Sequence, residues 1–311
     1  MLECIMPLII QKKEIKNWLD SFKGNFKVIQ TKKSILPVKQ YFFPPREDIF
    51  IFNKKNSKLT TPKFEKNLFV LCSHLGELEA MTQLDEIMGG EKPDYYYWQR
   101  RERSVLVGLI EESVEVAPGG DLILEKINSE QYQALILNNK GQKLIKKEFF
   151  KEVKKPKVKK YSTEKKKLKE LLLDPELLSN AVSWSWKSNH KIWDELGKKC
   201  LGCGVCTYVC PICHCFSIED SVALDDSECI RCREWDACTL PKFAQVAGKH
   251  NFHKTIKERY YNWYYHKFVR AYKEFGRSQC VACGQCGRNC PAGISIEEIL
   301  IEIVNDYNKD R

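Results

Sequence analysis

Short apolar runs separated by turn residues fill the chain from about residue 26 to residue 144. Five of them are typical of strands of about four to seven residues: DIFIFN, NLFVLCS, SVLVGLIEE, GDLILEKI and YQALILNN. Between the second and third runs, apolar residues recur at helical spacing: Leu75, Leu78, Met81, Leu84 and Met88. Gly89 is expected to end that helix. Strands interleaved with a helix predict an α/β domain, with the Met and Leu stripe in its core.

Two helix-start signals stand in the second half of the chain. Asp174 followed by Pro175 is a favourable N-cap and first-turn pair, so a helix is predicted to begin there. Ser295 and Glu298 have the spacing of a capping box ahead of a closing helix. The apolar stripe of this helix is predicted to pack beside the neighbouring cysteines: Ile296, Ile299, Leu300 and Ile303.

Most of the net charge of +10 lies in one segment. Thirteen lysines fall between Lys143 and Lys169, against Glu148, Glu152 and Glu164. Such a run is typical of a solvated linker or helix face. The chain also lacks Arg-rich base-reading motifs and the aromatic signature of an RNA-recognition sheet. The pattern therefore argues against nucleic acid, while docking of an acidic partner protein stays an option.

No stretch reaches the roughly 18 to 20 consecutive apolar residues of a membrane-spanning helix. The apolar start MLECIMPLII lacks a basic region and a small-residue cleavage site, so we expect a first strand or docking segment in place of a signal peptide. These features predict a cytoplasmic protein without a membrane span.

Two cysteine runs share the spacing C-x2-C-x2-C-x3-C-P: Cys200, Cys203, Cys206 and Cys210 with Pro211, and Cys280, Cys283, Cys286 and Cys290 with Pro291. This is the bacterial ferredoxin pattern for [4Fe–4S] clusters, in which the fourth cysteine of each run ligates the other cluster. It predicts two crossed ligand sets: Cys200, Cys203, Cys206 and Cys290 for one cluster, and Cys280, Cys283, Cys286 and Cys210 for the other. Glycines in both loops leave room for backbone amides to approach the sulfurs: Gly202, Gly204, Gly284 and Gly287.

Zinc and disulfides are the weaker interpretations of these runs. A lone C-x2-C pair suits zinc or a redox dithiol, but two complete runs, each followed by proline, favour clusters. No signal sequence indicates an oxidising compartment in which disulfides would form. We therefore expect two [4Fe–4S] clusters as the cofactors.

Five more cysteines lie in the 69-residue insertion between the runs: Cys213, Cys215, Cys229, Cys232 and Cys238. Two interpretations stay open for them. In the first, four of these thiols complete a third site for an iron–sulfur cluster or zinc. In the second, all are buried thiols that pack as small hydrophobes. His214 is expected to be structural, and Cys4 and Cys72 to be inert.

The cysteines also set the predicted domain organisation. Thirteen of the fifteen lie in the last 112 residues, and 311 residues suffice for two cores. We predict an α+β protein: an α/β domain at 1–150, a Lys-rich linker with helices at 151–192, and a mainly helical domain with a ferredoxin-like dicluster core at 193–311, interrupted by the insertion 211–279.

Aromatic residues gather in the cysteine-rich half, where we expect them to shield the metal from water and to pack subunit interfaces: Trp184, Trp186, Trp193, Trp235, Tyr260, Tyr261, Trp263, Tyr264 and Tyr265. Three cations near them are candidates for docking a partner: Arg259, Lys267 and Arg270.

Four linked motifs carry a resemblance across residues 193–305: CLGCGVCTYVCPICHCF, REWDAC, FAQVAGKHNFHKTIKERYYNWYYHKF and CVACGQCGRNCP. They resemble the iron–sulfur β subunit of cytoplasmic sulfhydrogenases, which are NiFe hydrogenases, and the equivalent A subunit of anaerobic sulfite reductases. A fainter likeness extends upstream through YFFPPREDIFIF, LGELEAMTQLDEIM, DYYYWQRRERSVLVGLI and GDLIL. The segment EESVEVAPGG departs from that family in being short and cysteine-free, and Cys229 and Cys232 stand where the family has other residues.

The resemblance implies a non-catalytic electron-transfer subunit. Such a subunit conducts electrons between a flavin subunit that works on NAD(P) and a catalytic subunit that holds nickel–iron or sirohaem. The sequence leaves the hydrogenase and sulfite reductase alternatives open. It lacks the dinucleotide, P-loop, nucleophile-elbow and HExxH motifs, so no substrate site is predicted. Two other hypotheses are a metal-stabilised nucleic-acid or protein interaction module, and catalysis at an unusual cluster of the five extra cysteines.

Overall fold

The computed structural model describes residues 7–31, 34–64, 67–111, 119–153 and 167–311. These residues form two compact units. The N-terminal unit holds the described residues of 1–43 and 63–164, and the C-terminal unit holds those of 44–62 and 165–311. Cys4 and residues 154–166 of the Lys-rich segment lie outside the described residues. In the described ranges, every helix is too short or too polar to cross a membrane.

The strands of the described ranges, in chain order, are β1 (Leu8–Gln11), β2 (Lys27–Gln30), β3 (Arg46–Asn53), β4 (Lys58–Thr60), β5 (Leu68–Cys72), β6 (Val105–Ile110), β7 (Leu122–Lys126), β8 (Gln131–Ile136), β9 (Phe150–Glu152), β10 (Phe216–Val222) and β11 (Glu228–Trp235). The α-helices are α1 (Ile15–Asp20), α2 (Leu75–Met88), α3 (Tyr95–Arg103), α4 (Asn139–Gln142), α5 (Lys167–Leu171), α6 (Pro175–Lys187), α7 (Ile192–Lys199), α8 (Val205–Tyr208), α9 (Ile256–Tyr264), α10 (Ala271–Phe275), α11 (Gln285–Arg288) and α12 (Ile296–Asp310). A π-helical stretch, Tyr265–Arg270, joins α9 to α10.

The N-terminal unit is built on a seven-stranded mixed sheet in the order β2-β5-β6-β7-β8-β1-β9. The neighbours β2, β5, β6 and β7 run parallel, and β8, β1 and β9 add antiparallel pairs. Trp18 is fully buried in this unit and donates its indole N–H to the Leu144 carbonyl at 2.9 Å. The predicted helix is α2, ending at Gly89, and its whole apolar stripe is buried. This unit thus combines helices with strands, as expected for an α+β protein.

The C-terminal unit contains an antiparallel sheet that the sequence did not predict, in the order β10-β11-β3-β4. β10 and β11 form a ribbon within the insertion, and β11 pairs along its other edge with β3. The strand predicted at DIFIFN is therefore correct, but its partner is the insertion rather than the N-terminal sheet. The cysteine-rich half is accordingly mixed α and β where it was expected to be mainly helical, and the exact domain limits stay a prediction.

Helices supply the rest of the C-terminal unit. Asp174 caps α6 by accepting the Leu177 N–H at 2.9 Å, which confirms the predicted start. Ser295 accepts the Glu298 N–H at the start of α12 at 3.3 Å. The predicted stripe of α12 is buried, together with Val304, in a core shared with α6, α7, α9 and the π-helical stretch. This core supports both cysteine loops.

Candidate metal centres

The two cysteine loops have the same backbone conformation. Gly202 and Ala282, each two residues after the first cysteine of its run, have φ values of 62° and 51°. Gly204 and Gly284, two positions further on, have φ values of 78° and 74° and are the N-cap residues of α8 and α11. Left-handed backbone is costly for a residue with a Cβ, so these positions favour glycine. Ala282 adopts it nonetheless, which indicates that the loop shape is imposed by its surroundings.

The left-handed positions turn backbone amides towards sulfur. The Gly202 N–H donates to Cys200 Sγ at 3.4 Å. In the second loop the Ala282 amide donates to Cys280, and the Gln285 amide donates to Cys283. Hydrogen bonds of this kind stabilise thiolate charge and tune a bound metal.

The first cavity has a volume of about 450 Å³, including the part open to solvent. It is lined by the four cysteines of the first predicted set, Cys200, Cys203, Cys206 and Cys290, and by Cys286. Cys200 interacts electrostatically with Cys203 and Cys290, and Cys206 interacts with Cys200 and Cys203. The fourth cysteine of the second run therefore lies beside the first three of the first run.

The second cavity, of about 350 Å³, is lined by Cys210, Cys280, Cys283 and Cys286. Cys283 and Cys286 both interact electrostatically with Cys210 and Cys280. Because Cys286 lines both cavities, the two are direct neighbours. The structure thus brings together both crossed sets that the spacing predicts.

Most of these thiols have raised pKa values. Burial raises the pKa of Cys206 and of Cys283 to about 12, and raises that of Cys286 as well. A metal site binds thiolates, so ligation by these side chains releases protons. Burial also keeps water from the sulfurs, which suits a redox centre.

Two buried polar atoms test whether a cluster fits the first cavity. Thr239 and Trp263 line it, and neither Thr239 Oγ1 nor Trp263 Nε1 has a hydrogen-bond partner among the described residues. A buried donor without a partner costs roughly 1–3 kcal/mol. The sulfur atoms of a [4Fe–4S] cluster would offer acceptors in this cavity, so the lining fits such a group.

The predicted shielding aromatics are partly in place. Tyr260 and Trp263, from α9, line the first cavity and are almost fully buried. Further out, Trp186 stacks on Tyr261 with ring centroids 4.2 Å apart. The aromatic cluster therefore closes one side of the cysteine-lined region against water.

Two of the three predicted docking cations are buried, so that interpretation of them was wrong. Arg259 donates to the Thr239 carbonyl at 3.0 Å and the Lys254 carbonyl at 2.7 Å, and so ties down the chain beside the first cavity. Lys267 lines the second cavity. In the sequence, Lys267 follows Trp263 by four residues, which places both on one helical face. Nothing in the sequence indicates that this lysine is buried. Arg270 is at the surface and pairs with Glu274.

Charge surrounds the buried Lys267 ammonium. Burial lowers the pKa of Lys267, but the negative charge of Cys210, Cys213 and Cys280 raises it by more. The resulting pKa of Lys267 lies well above its ordinary value. The neighbouring thiols therefore favour the charged form of Lys267.

The five extra cysteines are divided between two places. Cys213 contacts Cys210, and Cys238 contacts Cys215 while lying close to Cys213 and Cys206. Cys229 and Cys232 lie on β11, where Cys232 is buried among Arg46, Glu234 and Asp48. His214 interacts with the Ile212 carbonyl at 3.2 Å. Any third centre would therefore use Cys213, Cys215 and Cys238, without the two cysteines of the ribbon.

Cys72 lies in the N-terminal unit. Burial raises the pKa of its thiol to about 12, which disfavours the reactive thiolate.

One tight group of ligand-type side chains has no sequence signature: His190, Glu302 and Asp306. His190 Nδ1 accepts the Ile192 N–H at 3.3 Å, which leaves Nε2 to donate to Asp306 at 3.2 Å. A histidine whose Nδ1 accepts and whose Nε2 donates has no lone pair left for a metal. This group fastens the α6–α7 turn to α12.

Comparisons with known proteins agree with this arrangement. Residues 199–294 match the 4Fe-4S dicluster domain. The chain is 28% identical over 287 residues to sulfhydrogenase 2 subunit beta of Pyrococcus furiosus, which covers 87% of this chain and 84% of that protein. No solved structure was found to match the chain. The resemblance inferred from the motifs is thereby confirmed: this protein is a relative of a sulfhydrogenase beta subunit and carries a 4Fe-4S dicluster domain.

Proposed function

We propose that this chain is the iron–sulfur electron-transfer subunit of a hydrogenase-type complex. It binds two [4Fe–4S] clusters and relays electrons between a flavin subunit that works on NAD(P) and a separate catalytic subunit. One cluster is held by Cys200, Cys203, Cys206 and Cys290, and the other by Cys280, Cys283, Cys286 and Cys210.

The observation that carries the proposal is the pair of adjoining cavities: five cysteines line the first and four line the second, both runs contribute to each, and Cys286 is common to the two. A [4Fe–4S] cluster supplies one-electron transfer when bound. Neighbouring sites in one rigid core suit passage of electrons rather than turnover of a substrate. The chain's own residues bind the metal, donate backbone hydrogen bonds to its sulfur ligands, and exclude water through Tyr260 and Trp263.

The name of the Pyrococcus furiosus relative favours a hydrogenase as the catalytic partner. A sulfite reductase is the alternative from the same resemblance. The chains that co-purify with this protein distinguish the two, because one partner would carry nickel-binding cysteine pairs and the other sirohaem.

The relay is tested in the complex purified anaerobically with its partners. Cys283→Ser is compared with the wild type and with Cys229→Ser, which changes a ribbon cysteine away from both cavities. We expect Cys283→Ser to abolish NAD(P)H-driven turnover at the catalytic subunit. Reduction of a dye by NAD(P)H at the flavin subunit, and turnover driven by reduced viologen, should both persist.

The control Cys229→Ser should retain all three activities. Coupled turnover that survives in Cys283→Ser would contradict the relay. Finding zinc in place of iron in the anaerobically purified wild type would contradict the clusters themselves.

A further inference from the structure

Lys267 is a buried cation in direct contact with a predicted cluster ligand. Its Nζ donates to Cys210 Sγ at 3.2 Å and to the Gln279 carbonyl at 3.2 Å. The residue is only 4% exposed, and its ammonium lies 5.2 Å from the centre of the Trp263 ring. It belongs to the π-helical stretch Tyr265–Arg270, a distortion that often marks functional positions.

The first cavity has no equivalent contact among the described residues. The polar side chains that line it are the uncharged Thr239, Tyr260 and Trp263. Arg259 lies near Cys200, but its N–H groups donate to the carbonyls of Thr239, His253 and Lys254. Lys267 also interacts electrostatically with Cys206 of the first set, but its hydrogen bond to a thiol goes to Cys210 of the second. The two loops of matching shape therefore lie in unequal electrostatic surroundings.

We propose that Lys267 determines which cluster takes the reducing electron. Its ammonium makes the cluster held by Cys210, Cys280, Cys283 and Cys286 the more easily reduced of the two. The proposal rests on the proposed function, because it assumes that both clusters are bound.

The physical reason is the charge that reduction adds. Each one-electron reduction makes a cluster more negative by one unit, and a fixed positive charge nearby stabilises that form. In a buried setting the effect is much stronger than in water. The N–H···S bond from Lys267 acts in the same direction, because it strengthens as the thiolate becomes more negative.

A consequence for the relay follows directly. With both clusters bound, an electron that reached the cluster of Cys200, Cys203, Cys206 and Cys290 would pass to its neighbour and would stay there until the next acceptor took it. Reduction with less than one electron per chain should therefore reduce one cluster and leave the other oxidised.

The test is a redox titration of the whole protein followed by electron paramagnetic resonance, with Lys267→Met compared to the wild type. Cys203→Ser and Cys283→Ser identify which signal belongs to which cluster. We expect Lys267→Met to lower the reduced-to-oxidised ratio of the Cys283 cluster at a fixed potential at least tenfold, which is 59 mV for one electron. The other cluster should change much less.

Three further variants sharpen the comparison. Lys267→Arg retains the charge and should stay close to the wild-type ratio. Lys273→Met removes an exposed lysine six residues further along, on α10, and should change nothing. If Lys267→Met loses iron, Lys267→Gln is titrated in its place, because it keeps a donor but not the charge. The same tenfold decrease in the reduced-to-oxidised ratio of the Cys283 cluster is then expected.

An equal shift of both clusters, or no shift, in variants with a full iron content would overturn the inference and leave the proposed function intact. A wild type without iron–sulfur clusters would instead overturn the proposed function.

Discussion

Arg233 on β11 and Glu47 on β3 form a buried ion pair across 186 residues of sequence, with Nε donating to Oε1 at 2.8 Å. Their side chains are 6% and 3% exposed. The pair lies within the sheet of the C-terminal unit, where it fastens β3 to the insertion between the two cysteine runs. The ribbon of the insertion is thereby fixed to β3 rather than left as a loop.

Breaking this pair should destabilise the C-terminal unit strongly. Removing one partner leaves a buried charge without compensation, which costs about 3–5 kcal/mol. We expect Glu47→Gln and Arg233→Met each to lower the free energy of unfolding by that amount in denaturant titrations. The double variant should lose less than the sum of the two.

The neighbouring pair Arg46–Glu234 joins the same two strands but is 60% and 34% exposed. It is a matched control, because an exposed pair contributes about 0–1 kcal/mol. A loss in Arg46→Met as large as that in Arg233→Met would show that the strand pairing, and not burial of the charges, sets the effect.

Gly204 should tolerate substitution less than Gly293, although both have positive φ, at 78° and 60°. An added Cβ at Gly204 would lie 2.9 Å from the Ala237 methyl and 3.0 Å from the Tyr208 ring, whereas one at Gly293 would meet nothing within 4 Å. Left-handed backbone costs each alanine variant about 1–2 kcal/mol. Only Gly204→Ala adds a clash.

We therefore expect Gly204→Ala to bind less iron and to lose it faster in air than Gly293→Ala, as followed by absorption near the cluster bands. Equal loss in both variants would mean that the close approach at Gly204 has no role in the loop.

The two ribbon cysteines should be dispensable for metal. Cys229 and Cys232 lie on β11, away from the residues that line either cavity. The double variant Cys229→Ser, Cys232→Ser should retain about eight iron and eight sulfide per chain, as for two [4Fe–4S] clusters. A loss of several iron atoms in this variant would show that Cys229 and Cys232 bind a third metal centre.

Glu77 in the N-terminal unit gives a pH dependence of stability. Burial raises the pKa of its carboxyl, and the N–H of Val38 opposes this only in part by donating to it at 3.0 Å. The folded state therefore binds a proton more tightly than the unfolded state, so ionisation of Glu77 costs stability above its folded pKa and the cost fades as pH falls through that value.

Glu77→Gln keeps an acceptor for Val38 and removes the charge. We expect it to raise the melting temperature more at pH 8 than at pH 5, relative to the wild type. The exposed Glu91→Gln is the control and should show no such difference. A larger gain at pH 5 would reverse the sign and contradict the burial of a charged Glu77.

The sequence predicted the parts of this fold that rest on local patterns. Cysteine spacing indicated the two runs that line the cavities, the Asp174–Pro175 pair indicated the start of α6, and the stripe on α12 indicated its buried face. Each of these signals lies within about fifteen residues of chain.

The missed features depend on contacts between distant segments. The partner of β3 is β11. The cysteines of β11, Cys229 and Cys232, suggested metal binding rather than a strand. Lys267 appeared to be a surface cation, because nothing in its neighbours along the chain indicates burial against Cys210. Ala282 has a φ of 51°, which could not be predicted from the sequence because alanine disfavours left-handed backbone.

In the proposed arrangement, the last cysteine of each run serves the cluster of the other run. Electron paramagnetic resonance of reduced single-serine variants distinguishes this from two independent runs. We expect Cys290→Ser to alter the signal that Cys203→Ser alters, and Cys210→Ser to alter the signal that Cys283→Ser alters. If Cys290→Ser instead alters the Cys283 signal, each run holds its own cluster and the account is contradicted.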